Sequence, residues 1–279
     1  MGKLDDPTRL MTVEEFMRYT PPNIPAVVDH GILFSGTNMI IFGEPKTYKS
    51  TLMYELALSL ATGNHWVGFG TKKCIVFYVQ AEMPLAVQRL RLDKSWIGHT
   101  FADLGIYMKF DRAMKLDTMY GQNKLAHDLK HIRSVHPKEE LVVILDPLFE
   151  LMMGRISDEY EMRKFTSAVN ALQQEHQFTT IIVHHARKTH LDDNNKKVKQ
   201  GAQEMLGSVI LDAWLDTCGE TIVHDFENDP TAVELKFLRT RHGMPVSSVH
   251  MRINVETFRP VLDYNKIMGV DALSINDLS

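Results

Sequence analysis

The chain has little cysteine and no strong excess of either charge. Cys74 and Cys218 are its two cysteines in 279 residues, far apart and without a C-x-x-C pair. That argues against a disulfide-stapled secreted scaffold and suits a reducing compartment. The formal net charge is -4, so no global basic field advertises nucleic acid, and any such contact has to be local. No apolar run approaches the roughly 20 residues that a membrane helix needs. The acidic, proline-punctuated N-terminus does not read as a signal peptide. Internal repeats and low-complexity tracts are missing too. These absences predict a cytoplasmic protein without membrane contact. What is present is 44% hydrophobic residues, enough to build the core of one large α/β domain.

Strand and helix patterns alternate along the chain. Asn38 to Phe42, Cys74 to Gln80, Leu104 to Phe110, Leu141 to Leu145 and Thr179 to Val183 read as strands. Pro84 to Trp96, Leu125 to Ser134 and Glu159 to His176 read as helices between them. Such alternation predicts a parallel sheet with helices on both faces. The pattern then changes: Gly219 to His224, Ala232 to Leu238 and Val249 to Val255 read as antiparallel hairpin strands, with Glu227-Asn228-Asp229-Pro230 as a turn. Three segments follow, an N-terminal arm over 1–30, a core over 31–262 and a tail over 263–279. Thr12 and Glu15 have the spacing of a capping box, which starts a short helix in the arm before Pro21, Pro22 and Pro25 break it. The arm either docks on a neighbouring copy or folds back on its own core.

One stretch carries chemistry. Ile40-Ile41-Phe42-Gly43 runs as a strand into Glu44-Pro45-Lys46-Thr47-Tyr48, and Lys49-Ser50-Thr51 opens a helix in which Leu52, Met53, Leu56, Ala57 and Leu60 recur at helical spacing before Gly63. A nucleoside triphosphate needs inward backbone N–H groups and the positive end of a helix dipole. Gly43 to Thr51 supplies that context: Gly43, Glu44, Pro45, Lys46, Thr47, Tyr48, Lys49, Ser50 and Thr51 would wrap the phosphates. Lys49 would reach the β- and γ-phosphates and Ser50 would ligate Mg²⁺. The pattern G-x-x-x-x-G-K-[ST] is broken at its second glycine, where Tyr48 stands. A side chain fits there only with a negative φ and a ring turned away from the phosphates. The loop therefore hydrolyses ATP, binds it without turnover, or is an ordinary strand-loop-helix that binds nothing.

Three further positions fall where an ATPase needs them. Asp146 ends the apolar strand Leu141 to Leu145 and would hold the Mg²⁺ shell, because ligands gather at the carboxyl ends of parallel strands. Pro147 follows it, so a base must come from elsewhere. Glu82, after the Cys74–Gln80 strand, is the candidate, though an acid just before Pro84 also suits a helix start. His184 and His185 close the next strand, where a polar group can sense the γ-phosphate. A metal site built from His184, His185 and His190 lacks acids or thiols at suitable spacing. The polar segment from Arg187 to Gln203 sets Arg187, Lys188, Lys196, Lys197 and Lys199 against Asp192 and Asp193. It is either a phosphate-tracking loop or a solvated surface loop.

The order of these motifs, continued through Gly207-Ser208 and Arg239-Thr240-Arg241-His242-Gly243, resembles the RecA-like ATPases. It is most similar to the DnaB/RepA branch of ring-forming replicative helicases and their phage-encoded relatives, over roughly residues 30–255. The resemblance implies a RecA-like parallel central sheet, helices on both faces and a C-terminal antiparallel hairpin extension. It implies ATP and Mg²⁺ as ligands, Lys49 and Ser50 on the nucleotide, Glu82 as catalytic base, Asp146 on the metal and His185 (or His184) as γ-phosphate sensor. Arg239 and Arg241 match the basic pair that one subunit inserts into its neighbour's site. Lys188, Lys196, Lys197 and Lys199 would face single-stranded DNA in the channel of a self-associated ring, a hexamer, active in replication or recombination. Two other readings stay open: a non-translocating nucleotide-binding regulator or assembly factor, and a RecA-type strand-exchange recombinase or mediator. No primase-like domain is expected beside the core.

Overall fold

In the first core strand, β3 (Asn38–Gly43), every residue is buried, and successive side chains enter opposite cores. Met39 and Ile41 join one hydrophobic cluster, Ile40 and Phe42 the other. The same alternation splits β4 (Ile75–Gln80), β6 (Leu141–Asp146) and β7 (Thr179–His185): Val76, Tyr78, Val142, Ile144, Ile181 and Val183 face one way. Phe77, Val79, Val143, Leu145 and Ile182 face the other. Strands covered on both faces read as continuous apolar runs for this reason.

The computed structural model describes residues 10–18, 24–101, 104–186 and 207–263. Helix α2 (Lys49–Thr62) covers the first face, followed by α3 (Leu85–Ser95). On the second face lie α4 (Met119–Val135), α5 (Glu159–His176) and the short α6 (Val209–Trp214). Adding β5 (Ile106–Phe110), β8 (Thr217–Ile222), β9 (Ala232–Thr240), β10 (Val249–Ile253) and β11 (Pro260–Leu262), the described residues form a nine-stranded sheet in the order β11-β10-β9-β8-β3-β7-β6-β4-β5. The strands from β8 to β5 are parallel. From β8 through β9 and β10 to β11 the pairing turns antiparallel. This is the expected sheet, with helices on both faces and the hairpin extension at one edge. A separate pair, β1 (Ala26–Val28) and β2 (Leu33–Phe34), lies before the core.

The arm forms the expected helix, α1 (Val13–Arg18), with the reciprocal cap: Glu15 N donates to Thr12 Oγ1 at 3.2 Å and Thr12 N to Glu15 Oε2 at 2.8 Å. None of its residues is buried. Several bounds differ from the sequence pattern. Helix α4 starts at Met119, earlier than Leu125, because Thr118 caps it by accepting from Gly121 N at 3.2 Å. Gly121 is needed there, since a Cβ would collide with the Lys115 carbonyl. The strand expected from Gly219 to His224 begins at Thr217, and α6 and β11 were not anticipated. Among the described residues no helix is long and apolar enough to cross a membrane.

Candidate nucleotide site

The carboxyl ends of β3, β4, β6 and β7 frame a cleft of about 500 Å³, within the range of small-molecule sites. Lys46, Tyr48, Lys49, Ser50, Thr51, Glu82 and His185 all line it. The loop after β3 is braced from β8. Thr47 Oγ1 lies 2.8 Å from Glu44 O and 2.7 Å from Thr221 Oγ1, and Gly43 must be glycine because a Cβ would lie 2.5 Å from Thr221 O. Helix α2 begins at Lys49 as expected and ends at Gly63 in the left-handed region, with Gly63 N donating to Ser59 O.

Tyr48 overturns its expectation. Its φ is +61°, left-handed, and Lys46 is left-handed too at +68°. The missing glycine is thus not compensated by a changed backbone; the loop keeps the glycine-type conformation and holds two ordinary residues in it. Each costs about 1–2 kcal/mol relative to a right-handed residue. The half-buried Tyr48 side chain packs against the α2-side core, which offsets part of that cost, while still lining the cleft. As the residue before α2 it offers no side-chain acceptor to the helix's first N–H groups.

Lys49 is buried, and its ammonium is turned onto the loop itself, 3.0 Å from Gly43 O and 2.7 Å from Glu44 O. Burial pushes its pKa down to about 8, against the opposing pull of Asp146, Glu82 and Glu44. Asp146, 1% exposed, lies beneath the cleft. Burial raises its pKa to about 6, while hydrogen bonds from the Tyr78 and Ser50 hydroxyls favour the charged form. The Tyr78 contact is 2.5 Å. Ser50 and Asp146 thus face one another, an all-oxygen pair of the kind Mg²⁺ accepts beside a phosphate. A lysine, a hydroxyl, a carboxylate and a helix N-terminus around one cleft fit a Mg²⁺–triphosphate group. Among the described residues no three His, Cys, Asp or Glu side chains cluster as a metal site of their own.

Glu82 lies on the rim, with Oε2 3.8 Å from His185 Nε2. Of the two histidines, His185 faces the cleft, whereas His184 is buried in register with Phe42. Desolvation, with Lys49 nearby, lowers the His185 pKa, so its ring is neutral at pH 7; Glu82 opposes the shift. Sequence reasoning missed Tyr54, Tyr78, Gln80, Arg91, Ser95 and Phe258, which floor or wall this site. Tyr78 and Gln80 could have been found by counting back in twos along β4, since Gln80 pairs with Asp146 in register and shares its face.

Arg239 and Arg241 are far from this cleft. Thr240 pairs with Thr217, and β8 pairs Thr217 with Met39 at the start of β3, so both arginines sit at the opposite end of the sheet. Arg239 Nη2 is 3.0 Å from Asp212 Oδ1, and Arg241 Nη1 is 3.3 Å from Asp216 Oδ1. Lys188, Lys196, Lys197 and Lys199 lie outside the described residues.

The family described as AAA domain matches residues 5–190. No curated protein matches the chain in sequence. Among solved structures, the ATPase domain of a phage protein superposes with a TM-score of 0.64 at 14% identity, covering 90% of this chain and 96% of that one. A DnaB-like replicative helicase, solved with its interactions with primase, gives 0.64 at 16% identity and 89% coverage, and this chain spans 64% of that one. The flagellar accessory protein FlaH from Methanocaldococcus jannaschii gives 0.54 at 14%, covering 82% and 90%. Identities this low carry the fold alone, and the RecA-like sheet is the fold they share.

Proposed function

The chain belongs to the AAA-domain family, and from that premise we propose that it is an ATPase that hydrolyses ATP with Mg²⁺ at the interfaces of a hexameric ring and acts on single-stranded DNA. One observation carries the reading: Lys49, Ser50, Asp146, Glu82 and His185 come from separate elements and meet on or beneath one cleft at a helix N-terminus. In the proposed mechanism the Lys49 ammonium leaves the loop carbonyls for the β- and γ-phosphates. Ser50 and Asp146 hold the Mg²⁺, which when bound neutralises charge on those phosphates. Glu82 orients the attacking water and accepts its proton, and neutral His185 hydrogen-bonds the γ-phosphate side of the cleft. Arg239 and Arg241 act on the neighbouring subunit's nucleotide, which their distance from their own cleft supports. Lys188, Lys196, Lys197 and Lys199 contact the DNA backbone.

ATP hydrolysis measured with and without single-stranded DNA, for the wild type, Lys49→Ala and Glu82→Gln, tests this. The wild type should be stimulated by DNA and both variants should be nearly inactive. Equal slow hydrolysis by all three rejects the enzyme. Tyr48 on the cleft wall favours a second reading, a nucleotide-binding regulator that holds ATP without translocating. That reading predicts tight binding, no turnover and no DNA stimulation. A RecA-type recombinase would instead form helical filaments, which electron microscopy separates from closed rings.

A further inference from the structure

The buried end of β4 holds Glu82 in place, and it does so through one side chain. Gln80 is 1% exposed. Its Oε1 accepts from two successive backbone N–H groups, Glu82 N at 2.5 Å and Met83 N at 3.0 Å. The turn between β4 and α3 has only two other clamps among the described residues' hydrogen bonds: Ala81 N donates to Asp146 O at 2.9 Å, and the Arg112 guanidinium donates to Glu82 O. A buried side-chain carbonyl taking both N–H groups of a dipeptide fixes where that dipeptide's backbone, and so the Glu82 Cα–Cβ bond, points. The Glu82 side chain itself is half exposed and has no comparable restraint.

The other end of Gln80 looks the opposite way. Its Nε2 makes no well-formed hydrogen bond to the protein, and neither do the Tyr54 hydroxyl or the Gln88 amide, although these groups converge under the cleft. The Tyr54 ring lies 5.1 Å from that of Tyr78, centroid to centroid, and Tyr78 donates to Asp146. Gln80 is also paired with Asp146 across β4 and β6. It therefore stands between the carboxylate assigned to the metal and the carboxylate assigned to the water, touching the second through its backbone. We propose that Gln80 is a positioning residue, which sets Glu82 relative to Asp146. The inference rests on the reading of Glu82 as the base.

Gln80→Met tests it, because methionine matches glutamine in length and volume but cannot accept the two N–H bonds; Gln80→Leu serves if that variant does not fold. Two measurements are made. Hydrogen exchange at the Glu82 and Met83 amides should quicken at least tenfold, with the β4 amides before Gln80 unchanged. Turnover should fall at least tenfold while affinity for ADP stays within twofold, and Gln80→Met should have no further effect in a Glu82→Gln background. Unchanged amide protection, or losses that multiply in the double variant, would overturn the positioning role and leave the base assignment standing. A fully active Glu82→Gln single variant would instead remove the base assignment, and this inference with it.

Discussion

Tyr78 donates its phenolic hydrogen to Asp146 at 2.5 Å, and both residues are essentially excluded from solvent. The two lie on neighbouring parallel strands, with Tyr78 two residues before Gln80, the register partner of Asp146. A carboxylate buried this deeply is costly when ionised, and here Tyr78 and Ser50 supply the hydroxyl donors that make the charge tolerable.

Tyr78→Phe isolates that contribution, since the ring and its packing on Tyr54 remain. Losing one donor to a buried charged acceptor should cost about 1–3 kcal/mol at neutral pH, read from urea denaturation. The nucleotide complex should also need more Mg²⁺ for half-maximal turnover. An unchanged denaturation midpoint and Mg²⁺ dependence would mean that the hydroxyl does nothing for Asp146.

Tyr48→Gly removes a left-handed tyrosine and puts there the residue that the conformation favours. Relief of about 1–2 kcal/mol of backbone strain is opposed by lost ring packing and by the greater freedom of glycine in the unfolded chain. Net stability should therefore stay within about 1 kcal/mol of wild type. ADP affinity and ATP turnover should rise severalfold, because a Cβ and a ring leave the cleft wall. Tyr48→Val, β-branched at positive φ, should lose stability instead. Calorimetric titration and thermal denaturation of the two variants decide the matter, and a glycine variant that binds more weakly would make the ring part of the site.

How the sequence revealed the site and where it did not follow from period and distance. β3, β6 and β7 were legible because burial on both faces makes continuous apolar runs, and Asp146 because it ends such a run. Lys49 and Ser50 were found from spacing within a dozen residues. The φ of Tyr48 was not legible: a local pattern states which residue breaks a glycine rule but not whether the backbone yields or the side chain does. Nor were Tyr78 and Gln80, whose meaning comes from the β4–β6 register, a contact between segments over sixty residues apart. The start of α4 was hidden by Gly121, which weakens a helical pattern yet is required by the close approach of Lys115.

The lowered pKa of Lys49 has a consequence for nucleotide binding. Burial favours the neutral amine and holds the pKa near 8 in the free protein, whereas a bound polyphosphate favours the ammonium. The complex thus binds more protons than the free protein above about pH 8, and affinity must fall as pH rises. ADP affinity should be nearly flat from pH 6.5 to 7.5 and then decline, approaching tenfold per pH unit, while Lys49→Gln should be weak and flat throughout. A wild-type profile without that decline would place Lys49 away from the phosphates.

Arg241 allows the ring to be tested apart from the cleft. It is ion-paired to Asp216 at the end of the sheet remote from its own phosphate loop, so it can serve only a neighbour's nucleotide. Arg241→Ala should abolish turnover and leave ADP affinity within about twofold, since a trans arginine acts on the transition state. Lys49→Ala should be inactive for a different reason, in a different subunit's half of the site. Mixing the two inactive variants places some intact clefts beside intact arginines, and activity should return to part of the wild-type level, peaking near equal proportions. Failure of the mixture to recover any activity, with both variants shown to co-assemble, would take the arginines out of the catalytic site and leave Arg241 as a brace for the hairpin edge through Asp216.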